Sequence, residues 1–473
     1  MAKAQISTQR SLLWLVALGF FMQTLDGTII NTALPAMAAS LGESPLRMQS
    51  VVVSYALTMA MLIPASGWIA DRFGTRRVFF GAIVLFVVGS VLCAMSKGLG
   101  QLVAARVLQG VGGALLLPVG RLVLLQSVPR AEFLAAMSFV AIPGLVGPLL
   151  GPTLGGWLVQ YASWHWIFLI NVPVGLAGCL ATWKFMPDFR RSERQPLDVA
   201  GYGLLAFGMV GISLALDGVS EMGMRQVSVL VLLVFGLASL AAYWVHAARH
   251  PQPMFSPVLF RVPTMSIGLL GNLFARLGSG CMPFLVPLLL QVSLGYSPFH
   301  AGMAMLPIAM AGMAMKRAAS PLILRFGYRQ VLVVNTVLVG FTMASFGLIG
   351  PEQPLALRIA QLVAFGAVNS LQFTAMNTIT LRDLTPDMAS SGNSLFSMVQ
   401  MLAMSLGVAA ASSVLAGYGN MFGHGDAVAT LHAFQATFAT MGLMTVASAI
   451  IFWHLPVEAR IVPPEPPEVS GQG

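Results

Sequence analysis

Two residues of this chain are chemically out of place. Asp26 falls inside the apolar run 12–35, and Arg106 inside the apolar run 100–126. An ionisable side chain in hydrocarbon costs at least about 2.5–3.5 kcal/mol on insertion scales, so each is a functional candidate by default. Asp26 lies about 21 Å beyond Leu12 along a helix rising 1.5 Å per residue, which leaves it about 9 Å from the far face of a ~30 Å core. Arg106 enters from that same face past Gln101 and reaches about 8 Å deep. The depths match, so a direct or water-mediated pair is expected. Burial favours the protonated form of a carboxyl and a neighbouring cation favours the ionised form. A site that opens to each side in turn would pass between these influences and so load and release a proton. A static ion pair fixing two helices together is the competing reading.

Other polar residues sit deep in apolar stretches. Gln23, Asn31, Gln109, Arg121, Asn272, Arg276, Asn369 and Gln372 are the candidate lining of a substrate cavity. Helix–helix hydrogen bonding is the plainer use of the neutral ones. Between 263 and 453 the acids Glu352, Asp383, Asp387 and Asp426 all lie at the edges of apolar stretches, so Arg276 has no deep carboxylate in its own half. Gly147, Gly151 and Gly155 recur every four residues, with Pro152 and Gly156 among them. Such spacing lets helix backbones approach closely, and proline permits bending. The short loop from Asp71 to Arg77 places Gly74 where a permissive backbone is needed.

The elements that hold these residues follow from composition. The chain has 473 residues, 57% hydrophobic and only 9% charged, whereas soluble domains carry about 25% charged residues. This excludes a water-soluble fold, and the high hydrophobicity excludes disorder. An all-α polytopic membrane protein is expected. With about 20 apolar residues per crossing, spans are expected near 12–35, 48–70, 78–96, 100–126, 133–158, 165–186, 197–217, 227–248, 263–291, 297–315, 331–350, 354–380, 391–417 and 429–454. An even total of fourteen puts both termini on one side. Arg47, Lys97, Arg225 and Arg358 are then the only cations in loops of the opposite side, so both termini are expected in the cytoplasm. The inside-positive bias accounts for the +9 net charge without nucleic acid.

The segment Arg72-Phe73-Gly74-Thr75-Arg76-Arg77-Val78 recurs as Arg325-Phe326-Gly327-Tyr328-Arg329-Gln330-Val331. Both copies follow the second span of a set of six. Two related six-helix bundles, 1–195 and 251–456, are therefore expected, with two inserted helices over 196–250 and a disordered tail over 457–473. Parallel repeats around a central substrate site are a transporter architecture. Cys93, Cys179 and Cys281 are dispersed through apolar runs, which gives neither a disulfide framework nor a metal-ligand spacing. No metal, cofactor or nucleotide-binding motif is found, and an enzyme is not expected.

These residues resemble the major facilitator superfamily, and within it the fourteen-span drug:proton antiporters. The run Gly67-Trp68-Ile69-Ala70-Asp71-Arg72-Phe73-Gly74-Thr75-Arg76-Arg77 resembles the superfamily's signature loop. Leu102 to Ala114, around Arg106 and Gly110, resembles its span-four motif, whose arginine is associated with proton transfer. Gly147 to Gly156 resembles the span-five motif linked to antiport. Leu25 to Pro35 and Trp164 to Pro173 resemble the span-one and span-six signatures. The resemblance implies a monomeric, proton-coupled multidrug exporter of the bacterial inner membrane, working by alternating access and confined to small-molecule substrates, protons and lipid. It implies proton coupling at Asp26 and Arg106. It also implies a conformational gate at Gly67, Asp71, Arg72, Gly74, Arg76 and Arg77, and an antiport hinge at Gly147, Gly151, Pro152, Gly155 and Gly156. One departure matters: exporters of cationic dyes often carry further acids in late spans, and Arg276 and Arg121 stand here instead. Efflux of an organic anion or metal chelate, such as a carboxylate metabolite, is therefore the alternative.

Overall fold

A computed structural model describes residues 2–128, 130–190, 196–220, 226–423 and 427–456. The expected tail 457–473 and Arg225 lie outside the described residues. The described chain is helical. Its first half runs α1 (Ala2–Ile29), α2 (Leu34–Leu41), α3 (Gln49–Leu62), α4 (Ser66–Phe73), α5 (Thr75–Ala94), α6 (Leu99–Ser127), α7 (Arg130–Tyr161), α8 (Trp166–Leu169) and α9 (Asn171–Phe185). An antiparallel pair follows, α10 (Val199–Ser220) and α11 (Gln226–Arg249). The second half runs α12 (Pro263–Ser279), α13 (Met282–Leu288), α14 (Pro298–Ala304), α15 (Leu306–Phe326), α16 (Tyr328–Ser345), α17 (Leu355–Arg382), α18 (Pro386–Phe422) and α19 (Ala427–Trp453).

Among the described residues twelve spans are long and apolar enough to cross a membrane, or thirteen if α3 and α4 form one. Those two helices meet at 60°. Pro64 lies in the break, where its missing N–H and ring end the α-helical ladder. The stretch expected as one crossing over 48–70 is thus two rods. The stretch 263–291 is broken as well, at Gly280 and Cys281 between α12 and α13. Lys316 and Arg317, read from sequence as loop residues, belong to α15, which continues to Phe326.

The repeated turn is present in both halves. Gly74 has φ 92° and ψ 139°, and Gly327 has φ 76° and ψ 158°. Each ends one helix and begins the next in a conformation that L side chains rarely adopt. Chain segments as far apart as these take the same backbone path for the same steric reason.

The halves meet tightly at one end. A cluster of buried side chains joins Ile29, Ala33, Leu34 and Met37 to Cys281, Met282, Leu285 and Leu289, and to Val408, Ala411 and Leu415. Gly156 and Gly302 permit this closure. A Cβ on Gly156 would lie 2.2 Å from the Pro298 carbonyl oxygen, and one on Gly302 would lie 2.2 Å from that of Pro152. Beyond this contact α15 buries little, with Ala319 and Ile323 its buried residues. Met310 and Met313 are 61% and 41% exposed along it. The α10–α11 pair brackets the two halves, since α10 packs against both α3 and α18. Ser413 Oγ donates to the Leu216 carbonyl at 2.8 Å across that contact.

Candidate functional site

The deepest polar feature is a hydrogen-bonded knot in the first half. Asp26 on α1 and Arg106 on α6 are each 1% exposed. Arg106 Nη1 donates to Asp26 Oδ2 at 2.6 Å. The other carboxylate oxygen, Oδ1, accepts from Gln109 Nε2 at 2.7 Å and from Asn171 Nδ2 at 3.1 Å. Ser90 Oγ receives Gln109 Nε2 at 2.9 Å and Asn171 Nδ2 at 3.3 Å. Arg106 in turn donates through Nε to the Val51 carbonyl at 3.2 Å and through Nη1 to Gln109 Oε1 at 2.6 Å. Its guanidinium lies 4.1 Å from the ring centroid of Tyr55, a cation–π contact in a desolvated place.

Small residues make the knot possible. A Cβ on Gly89 would stand 2.7 Å from Gln109 Cα, and one on Gly112 would stand 2.5 Å from the Ala82 carbonyl. The backbones of α5 and α6 therefore approach closely enough for Ser90 to reach Gln109. A buried pair of charges is held in this way only if its remaining donors and acceptors are satisfied. Here α3, α6 and α9 supply them through Val51, Gln109 and Asn171, and Ser90 on α5 holds the two amides in place.

The matched-depth argument for Asp26 and Arg106 agrees with this geometry. Gln109, expected on a cavity wall, is instead inside the knot at 0% exposure. It lies three residues after Arg106, on the same helical face, and that spacing was the available signal. Asn171, Ser90 and Tyr55 were not anticipated. Only the polarity of Asn171 in an apolar run pointed to it.

The other expected cavity residues divide. Gln23 and Asn31 are buried, and Asn31, in the 3-10 turn after α1, donates through Nδ2 to the Thr28 carbonyl at 3.4 Å. Gln372 is a helix–helix linker: its Oε1 accepts from Asn335 Nδ2 at 2.8 Å and its Nε2 donates to Thr336 Oγ1 at 2.7 Å. Tight packing between α16 and α17 takes it off any cavity wall. Asn272 is fully buried and its Oδ1 accepts from Arg276 Nε at 2.6 Å. Arg276 stacks 4.5 Å from the centroid of Phe373, and its Nη2 is buried without a hydrogen-bond partner. Arg121 likewise has a buried Nε without a partner. Asn369 is half-buried.

The glycine series also divides. Gly147, Gly151 and Gly155 seat α7 on α1, against Thr24, Thr28 and Ile29. Pro152 and Gly156 face the second half, where Thr153 Oγ1 donates to the Gly302 carbonyl at 3.3 Å. The expected seam is thus an intra-half contact for three glycines and a contact between halves for the last.

The loop after α4 has a partner that sequence reading missed. Thr75 N donates to the Phe189 carbonyl at 3.1 Å, and Phe189 N returns a bond to Thr75 Oγ1 at 3.0 Å. Arg76 N donates to Asp188 Oδ1 at 3.2 Å, and Arg76 Nε donates to the Met186 carbonyl. Asp188 also pairs with Arg190 at 3.2 Å. A Cβ on Gly74 would strike Asp188, so the glycine serves both the turn and this docking. Arg72 lies 5.3 Å from the Trp68 ring centroid. Gly67 has open space around it, Asp71 is half-buried and Arg77 exposed.

Residues 16–408 match the Major Facilitator Superfamily. The chain belongs to that superfamily of membrane transporters. Over 446 residues it is 51% identical to a protein of Serratia proteamaculans (strain 568), covering 94% of this chain and 93% of that one. It is 52% identical over 451 residues to one of Salmonella heidelberg (strain SL476), covering 95% of each. Both relatives bear the name "Putative multidrug resistance protein MdtD". Among solved structures, a POT family transporter in complex with 5-aminolevulinic acid matches with TM-score 0.69 and 17% identity, covering 93% of this chain and 95% of that one. A D-xylose-proton symporter matches with TM-score 0.66 and 16% identity, covering 94% and 97%. At such identities these two structures establish the fold alone. The chain is a multi-pass transporter and not an enzyme.

Proposed function

We propose that this protein is a proton-coupled antiporter that exports small molecules across the bacterial inner membrane by alternating access. The observation that carries the reading is the Asp26 carboxylate, 1% exposed and bound by Arg106, Gln109 and Asn171. Asp26 lies one helical turn from Ile29, in the apolar cluster that closes one end of the molecule. From that side a proton reaches the carboxylate when the end opens. Protonation would cancel the charge that faces Arg106 and leave the buried guanidinium uncompensated, which destabilises the closed arrangement. Opening and proton loading are in this way one event. The long exposed face of α15, with Met310 and Met313, would line the vestibule on the other side and offer an adaptable apolar surface.

In this reading the molecule is a monomer with both termini in the cytoplasm. Its spans number fourteen when the bent pair α3–α4 and the 32-residue α7 each count as one. The two six-helix bundles flank the inserted α10–α11 pair, and the Asp71–Arg77 loop gates the cytoplasmic end.

The test is transport in proteoliposomes under an imposed pH gradient, with a panel of cationic dyes and organic anions. Asp26→Asn should remove gradient-driven transport by about 100-fold or more, the scale of a lost proton-transfer group, while the protein still folds. Normal gradient-driven transport by that variant overturns the proposal. A second reading of the substrate rests on Arg276, whose Nη2 is buried and unpartnered in a half without a deep carboxylate. That favours export of an organic anion or a metal chelate over a cationic dye, and Arg276→Gln should then abolish the response to anions.

A further inference from the structure

The inserted hairpin carries a cluster that the transport reading leaves unused. Asp198 immediately precedes α10, and His246 and His250 lie four residues apart at the end of α11. That spacing puts both rings on one helical face. One ligand atom from each of the three residues lies within 4.8 Å of the other two. His246 Nε2 is 2.8 Å from Asp198 Oδ1, and the two imidazole centroids are 5.0 Å apart with planes inclined by 30°.

The frame around these groups is fixed. Asp198 is 6% exposed. Its Oδ1 accepts from Gly201 N at 2.8 Å and its Oδ2 from Met254 N at 3.3 Å. Tyr243, one turn before His246, donates to the Phe255 carbonyl at 3.0 Å and accepts from Phe255 N at 2.8 Å. The start of α10, the end of α11 and the segment leading into the second half are thereby drawn to one point. Arg249 lines a surface hollow together with His246 and His250 and is exposed.

We propose that Asp198, His246 and His250 form a three-ligand site for a zinc-class divalent cation at the joint between the hairpin and the second half. Two imidazoles and one carboxylate suit zinc and its late first-row neighbours, whereas magnesium and calcium prefer oxygen donors throughout. The ion would replace the hydrogen that His246 Nε2 directs at Asp198 Oδ1. Both histidines are half-buried, which leaves a fourth position for water. Because α10 contacts one helix of each half, an ion here would stiffen the bracket that spans them.

The test uses the full-length protein in detergent, stripped with a chelator and titrated with Co2+ as an optical probe. One saturable Co2+ species is expected, displaced by Zn2+ and not by Mg2+. Loss of an outer-shell contact alone weakens metal sites 10–100-fold, so loss of a ligand in His250→Ala or His246→Gln should weaken binding by about 100-fold or more. His246→Gln retains an amide donor toward Asp198, so this variant keeps the frame, and its elution profile and unfolding temperature without metal should match the parent. Zn2+ should raise the unfolding temperature of the parent and of neither variant. Absence of a saturable species, equal displacement by Mg2+, or binding unchanged in either histidine variant overturns the site.

Discussion

The two halves carry the same turn and similar helix packing, yet they handle buried polarity in opposite ways. In the first half a charged pair is knitted by Gln109, Asn171 and Ser90 across several helices. In the second half Asn335, Thr336 and Gln372 form a neutral link between α16 and α17. One cation of that half, Arg276, meets an aromatic face and an amide oxygen. A neutral link holds helices together without responding to protons. A charged knot costs more to bury and changes when one proton arrives. On this contrast rests the proposal that the first half handles protons and that Arg276 serves recognition in the second.

The comparison can be broken most sharply at Arg106. Arg106→Met leaves the buried carboxylate uncompensated and should destabilise the protein by about 3–5 kcal/mol. Asp26→Asn combined with Arg106→Gln should recover much of that loss without restoring gradient-driven transport. Thermal unfolding in detergent, set out as a double-mutant cycle, measures the coupling. A smaller effect is expected where the halves touch. Gly156→Val places side-chain atoms against Pro298, and overpacking of this kind costs about 1–3 kcal/mol. It should shift the population toward the arrangement open at that end, which distances between spin labels on α7 and α14 would report.

The neutral link should matter least. Gln372→Leu leaves the Asn335 amide with the Val368 carbonyl as its remaining acceptor and one N–H unpaired, and should cost about 1–3 kcal/mol. Asn335→Leu combined with Gln372→Leu should come closer to neutral, and transport should persist in both. Loss of gradient-driven transport in the double variant would show that the second half also handles protons and would remove the contrast.

How far the sequence carries the reading depends on what each feature requires. The membrane fold follows from composition and run length, since apolar helices are the economical way to satisfy backbone groups in lipid. The pairing of Asp26 with Arg106 follows from depth alone. The helix rotation that brings Asn171 and Ser90 onto the same carboxylate does not, because packing against neighbours sets it. Gln109 shows the limit: its face was fixed by its distance from Arg106, but whether that face met a cavity or a carboxylate depended on α1. The docking of Asp188 and Phe189 onto Thr75 and Arg76 lies between segments far apart in sequence and leaves no local pattern. The kink at Pro64 was readable in principle, whereas the extension of α15 through Lys316 was masked by its charges.

The apolar cluster one turn from Asp26 has an electrical consequence. Under the proposed function the surrounding membrane holds a voltage and a proton difference, and any continuous thread of water would drain both. Ile29, Leu34, Met282 and Leu285 are buried together there, an apolar plug that offers a proton no polar group to hop to. Under the proposed function an idle copy would act as an insulator, and protons would cross only as part of a transport cycle.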